Sequence, residues 1–97
     1  MEIKLITRDI EATDGLREYI EKRLSGLDKY SSHIIDAELI LDEQRGRFLG
    51  ELVVKVKGST LTAKSQAKDP FSAIDELKDK MKSQLVKYED KLKYHRA

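Results

Sequence analysis

The chain has no cysteine, no tryptophan and no asparagine, and a single proline. Without cysteine there are no disulfides, no thiolate metal ligands and no cysteine nucleophile. The two histidines, His33 and His95, have no further His or Cys at ligand spacing, so no metal site is expected. Glycine-rich phosphate loops, dinucleotide turns and nucleophile elbows are absent as well. The adjacent carboxylates Asp42–Glu43 and Asp75–Glu76 sit among other charges, in wet surroundings that would not tune them for acid–base work. The reading is a protein that is not an enzyme and needs no cofactor. No apolar run approaches the ~20 residues of a membrane span. The start, MEIKLITRDI, lacks the basic flank and apolar core of a signal peptide, so the cytoplasm is the expected compartment. Many charges without Asn or Cys fit a thermophilic source and chance equally well.

What is present is charge. Of 97 residues, 38% are charged and 39% hydrophobic, the balance of a soluble globular chain, and residues 1–97 are expected to form one domain. The net charge of +1 hides an uneven spread. Residues 1–63 hold 10 Lys/Arg against 12 Asp/Glu, whereas residues 64–97 hold 9 against 6. Bulk charge therefore gives no argument for a polyanionic partner, and only a local patch would supply one.

Hydrophobic periodicity gives the elements. Glu2–Arg8 alternates, with Ile3, Leu5 and Thr7 on one side of a half-buried strand that pairs within the sheet. Leu16, Ile20, Leu24 and Leu27 form the stripe of an amphipathic helix, with Thr13 at its N-cap and Asp14 in the first turn. Period two returns three times: Ile35, Ala37, Leu39 and Leu41; Phe48, Gly50, Leu52, Val54 and Val56; and Leu61, Ala63, Ser65 and Ala67. Short turns at Gly46 and Gly58 join these strands into an antiparallel meander. Asp69 followed by Pro70 caps and starts a long final helix. The order β-α-β-β-β-α predicts an α+β, two-layer sandwich: a four-stranded sheet with two helices on one face, similar to a double-stranded-RNA-binding domain.

The final helix is rich in lysine, and the angle at which each lysine falls sorts them. Centred on Met81, the residues Ile74, Leu77, Leu85, Tyr88 and Leu92 lie within about 40°, a continuous core stripe. One flank, about 60–120° away, carries Lys80, Gln84, Lys87 and Lys91 with no acid among them. The other mixes Lys78, Lys82 and Lys93 with Asp75 and Glu89 in ordinary i,i+3 and i,i+4 relations. The unmixed flank reads either as solvated surface or as a phosphate-binding face that contributes little to stability. On the first helix, Tyr19, Arg23, Gly26 and Tyr30 share a flank, with Lys22 and Lys29 further round. Were this flank to meet the Lys80–Lys87–Lys91 stripe, the two would form one basic surface edged with aromatic rings. Periodicity does not say which flanks meet.

The block KDPFSAIDELKDKMKSQLVKYEDKLKYH resembles the C-terminal signature of the ribosome hibernation promoting factors, also called ribosome-associated inhibitor A proteins. Asp69, Phe71, Ala73, Ile74, Asp75, Lys80, Gln84, Leu85, Lys87 and Lys91 carry the likeness. Thr13, Leu16–Arg17, Arg23–Leu24, Leu27 and Tyr30 extend it through the first helix. The length and the DKLKYH ending resemble the family's short form. The resemblance implies docking on the small ribosomal subunit, in the channel for messenger and transfer RNA. It implies blocked translation and preserved idle ribosomes, with a second small factor joining in ribosome dimers. Ribosomal RNA would meet the basic helix faces, here Lys22, Arg23, Lys80, Gln84, Lys87 and Lys91, and off the ribosome the protein would be a monomer. Two positions depart from the pattern, Ser83 where many members carry Arg and Gly26 where many carry Lys. The alternative is a general double-stranded-RNA-binding module, whose core is nearly this chain without its first strand. Such modules carry a basic cluster at the start of the final helix, where this chain has KDPFSAIDE.

Overall fold

A computed structural model describes residues 2–94. The order is β1 (Lys4–Arg8), α1 (Asp14–Leu24), a 3-10 segment (Ser25–His33), β2 (Ile34–Gln44), β3 (Arg47–Val56), β4 (Ser59–Ala67) and α2 (Pro70–Tyr94). The strands make one sheet in the order β1-β2-β3-β4, an α+β fold as the periodicity predicts. β1 occupies one edge and runs parallel to β2, with Leu5 opposite Leu39; β2, β3 and β4 are an antiparallel meander. The β2–β3 turn places Arg45 at φ 53° and Gly46 at φ 78°, the left-handed pair that matches strand twist in a two-residue hairpin.

One side of the sheet is covered. Leu39, Leu41, Leu52, Val54 and Val56 of the strands share a core with Leu16, Ile20 and Leu24 of α1 and with Ile74, Leu77, Met81 and Leu85 of α2. Thr13 caps α1 by accepting the Leu16 N–H at 3.2 Å. Asp69 caps α2, taking the Ser72 N–H and hydroxyl, each at 2.8 Å. α2 sits low on the sheet because small residues lie beneath its first turns. Ala73 is buried, and Ser65 donates its hydroxyl to the Ala73 carbonyl at 2.9 Å. A Cβ on Gly50 would stand 2.7 Å from Leu77 Cδ1 and 2.8 Å from Ser65 Oγ.

Three expectations need correction. The first helix ends at Leu24, and Leu27 is buried from the 3-10 segment instead. The reason lies in spacing: Leu16, Ile20 and Leu24 recur every four residues, whereas Leu24, Leu27 and Tyr30 recur every three, the repeat of a 3-10 helix. Ile35 does not point inward with Ala37. The β2–β3 register shifts between Ile34 and Asp36, so Ile34 packs on the core and Ile35 is 59% exposed. Leu92, the far end of the stripe, is 43% exposed, because a 25-residue helix of about 37 Å outlasts a 9-residue strand of about 30 Å.

Two outcomes check this packing. Replacing Gly50 by Ala forces the buried Leu77 and Ser65 side chains out of their places, and the thermal transition should drop by the equivalent of about 1–3 kcal/mol; an unchanged melting temperature would contradict the close approach. Asp69→Ala should melt lower at neutral pH. The two Ser72 donors hold the Asp69 carboxyl below its usual range, so its contribution is complete above the unfolded value of about 3.9 and disappears as pH falls through the lower folded one. The difference between variant and parent should therefore shrink in acid, and a constant difference would assign the cap no charge dependence.

Candidate nucleic-acid interface

The two flanks of α2 have different neighbours. The mixed flank faces α1 and the 3-10 segment. Its Asp75 accepts the Tyr19 hydroxyl at 2.6 Å and the Arg23 Nε–H at 2.7 Å on the same oxygen. These bonds raise the pKa of the Tyr19 phenol and of the Arg23 guanidinium, the hydrogen bond to Asp75 being the largest cause in each. The Tyr19 ring meets Phe71 edge-on, with centroids 4.9 Å apart. Further along, Glu89 pairs with His33 Nε2 at 3.2 Å. This side of α2 is a clasp between helices.

The other flank faces β4, the sheet edge opposite β1. Lys80 donates to the Lys64 carbonyl at 2.7 Å, and Gln84 to the Thr62 carbonyl at 2.6 Å. Tyr88 donates its hydroxyl to the Lys57 carbonyl at 2.8 Å. Three α2 side chains thus reach over the edge and satisfy two carbonyls of β4 and one of the β3–β4 turn. Lys80 also pairs with Glu76 at 2.8 Å.

The question periodicity leaves open is thus answered: the Lys80–Lys87–Lys91 flank of α2 does not face α1. Lys80, Gln84, Lys87 and Lys91 lie on the β4 side, while Arg23 lies against Asp75 on the α1 side, with α2 between them. The expectation that the Lys80 stripe has no acidic partner within the helix is overturned, by Glu76. Lys80 and Gln84 carry structural hydrogen bonds, whereas Lys22, Lys87 and Lys91 keep exposed side chains. Lys57 joins Lys87 and Lys91 along one groove, and the linear sequence offered no sign of it. Among the described residues no cluster of His, Cys, Asp and Glu would hold a metal ion, and no helix is long and apolar enough to cross a membrane. His95 lies outside the described residues.

This arrangement has known relatives. Residues 3–93 match the family described as Sigma 54 modulation protein / S30EA ribosomal protein. The chain belongs to this family. The Ribosome hibernation promoting factor of Escherichia coli (strain K12) is 30% identical over 95 residues, spanning 98% of this chain and all of that one. The Protein Y N-terminal domain of Thermus thermophilus superposes with a TM-score of 0.83 at 31% identity, covering 91% of this chain and 99% of that one. A ribosomal subunit interface protein from Coxiella burnetii gives a TM-score of 0.86 at 27% identity, covering 93% and 99%. The resemblance read from the AID block and the first helix is thus a family membership, with curated relatives named ribosome hibernation promoting factor along nearly the whole chain.

The space beside Gly26 is taken by the Lys78 side chain of α2. A Cβ built there would stand 3.0 Å from Lys78 Cε and 3.5 Å from its Nζ. The Lys80 and Gln84 bonds carry a direct test. The double replacement Lys80→Ala/Gln84→Ala should destabilise the domain by about 0.5 kcal/mol per side chain, the low end for hydrogen bonds because both are in water. Lys87→Ala/Lys91→Ala should leave the melting temperature within error. Equal effects from the two doubles would deny Lys80 and Gln84 their structural share.

Proposed function

We propose that this protein is a ribosome hibernation factor that docks on the small ribosomal subunit, in the messenger and transfer RNA channel. It inhibits translation there and stabilises idle or dimeric ribosomes, a second small factor taking part in dimers. The whole chain acts as a single ribosome-binding domain in the cytoplasm, and a monomer off the ribosome. The observation that carries this reading is the near-complete alignment with a protein named for ribosome hibernation, joined to a shared fold with a ribosomal subunit interface protein.

The geometry supports ribosomal RNA as the surface met. Lys87 and Lys91 are exposed on one side of α2, with Lys22 and Arg23 on the other, and phosphate neutralisation needs only such cations at backbone spacing. Lys80 and Gln84 work from the β4 edge, where their carbonyl bonds hold the side chains in place beside that surface. Asp75 holds Arg23 by its Nε and so fixes the orientation of the guanidinium.

Added in modest excess, the protein should co-sediment with small subunits in a sucrose gradient and lower protein synthesis in a cell extract. Free migration at the top of the gradient at low salt would end the reading. Lys87→Gln/Lys91→Gln should weaken this binding and flatten the slope of log affinity against log salt by about 0.7–0.9 per lost phosphate contact. Lys82→Gln/Lys93→Gln makes the same charge change on the mixed flank and should do less. Binding to duplex RNA as tight as to ribosomes would favour a general double-stranded-RNA module instead.

A further inference from the structure

The β3–β4 turn and the last turns of α2 enclose a groove of about 390 Å³, at the small end of the ~300–1,000 Å³ range of ligand pockets. Its charged lining is Lys57 from the turn and Lys87 and Lys91 from the helix, with no carboxylate. None of these three ammonium groups pairs with an acid among the described residues, unlike Lys80 with Glu76 and Lys64 with Glu51. In a chain of net charge +1, three unpaired cations around one hollow are a local concentration of charge. The walls are apolar: Leu61, Leu92 and the Tyr88 ring line the same groove.

The groove is also held in shape. The Tyr88 hydroxyl binds the Lys57 carbonyl, which pins the turn to the helix while leaving the Lys57 side chain free. Gly58 takes φ 78°, a conformation that suits glycine and keeps the turn tight. Three lysines on the lining of one hollow, with an aromatic and aliphatic wall, suit one nucleotide of a polyanionic strand. The phosphate is neutralised at the rim and the sugar and base lie on the wall.

We propose that this groove is a subsite for a single nucleotide of an RNA strand, with Lys57 in the β3–β4 turn as a phosphate contact alongside Lys87 and Lys91. The inference rests on the reading of the protein as an RNA-binding hibernation factor, and it extends the interface from helix faces to a hairpin turn. It assigns Lys57 a role that neither helix flank includes.

The test uses the full chain, isotope-labelled, titrated with a single-stranded uridine octamer, and in parallel with uridine monophosphate and with inorganic phosphate. The octamer should shift the amide signals of Gly58, Ser59 and Lys91 saturably, and the two small anions should shift them weakly and without saturation. Lys57→Gln should weaken octamer binding at least threefold and flatten its salt slope by about 0.7. Lys55→Gln, the same charge change on the outer face of β3, should do neither. Octamer shifts that bypass the turn, or an unchanged affinity and slope for Lys57→Gln, would overturn the proposal. Saturable binding of uridine monophosphate as tight as the octamer would overturn it in favour of a free-nucleotide site. Because no ribosome is present, shifts at the turn by a protein that fails to sediment with small subunits would keep the groove and remove the hibernation reading. The reverse result would do the opposite.

Discussion

Where α2 rests on Gly50, the Leu77 side chain fills the space a Cβ there would take, and this contact helps fix how α2 is turned about its own axis. With Ala73 and Leu77 facing the sheet, the flanks have no freedom left. One carries Asp75 and Glu89 toward α1 and the 3-10 segment; the other carries Lys80, Gln84 and Tyr88 over the edge of β4. Which lysines remain unpaired is what this seating leaves over. Lys87 and Lys91 make none of the contacts to Glu76 or to the Thr62 and Lys64 carbonyls, and remain exposed.

The division of labour within α2 has a functional meaning. Lys80 is among the residues of the proposed RNA surface, yet its ammonium is shared between a backbone carbonyl and Glu76. A loss of binding on replacing it would therefore mix lost contact with a loosened edge. Arg23 is similar, because Asp75 is both its anchor and the acceptor for Tyr19. Under the proposed function, folding and recognition would draw on the same side chains at these two positions and separate at Lys87, Lys91 and Lys57.

Much of the fold was legible because its signals are local. The strands follow period two, the Asp69–Pro70 pair marks the start of α2, and Ile74, Leu77, Met81 and Leu85 are the buried stripe that their spacing describes. The misses have identifiable causes. The change from a four- to a three-residue repeat at Leu24 is written in the sequence, as is Glu76 four residues before Lys80, a standard helix pair. The register shift at Ile34 had no comparable signal. The side on which α1 meets α2 depends on how the chain crosses from β1 to β2, which hydrophobic periodicity does not encode. Lys57 enters the candidate surface only once the β3–β4 turn is seen beside α2.

The reach of α2 over β4 has one more consequence, for the protein at high concentration. An edge strand with free carbonyls is a template on which another chain can add a strand and begin to polymerise. At Thr62 and Lys64 those acceptors are already occupied by Gln84 and Lys80. The same contacts that hold the helix in register thus act against templated self-assembly, leaving the five-residue parallel strand β1 as the sheet's open border.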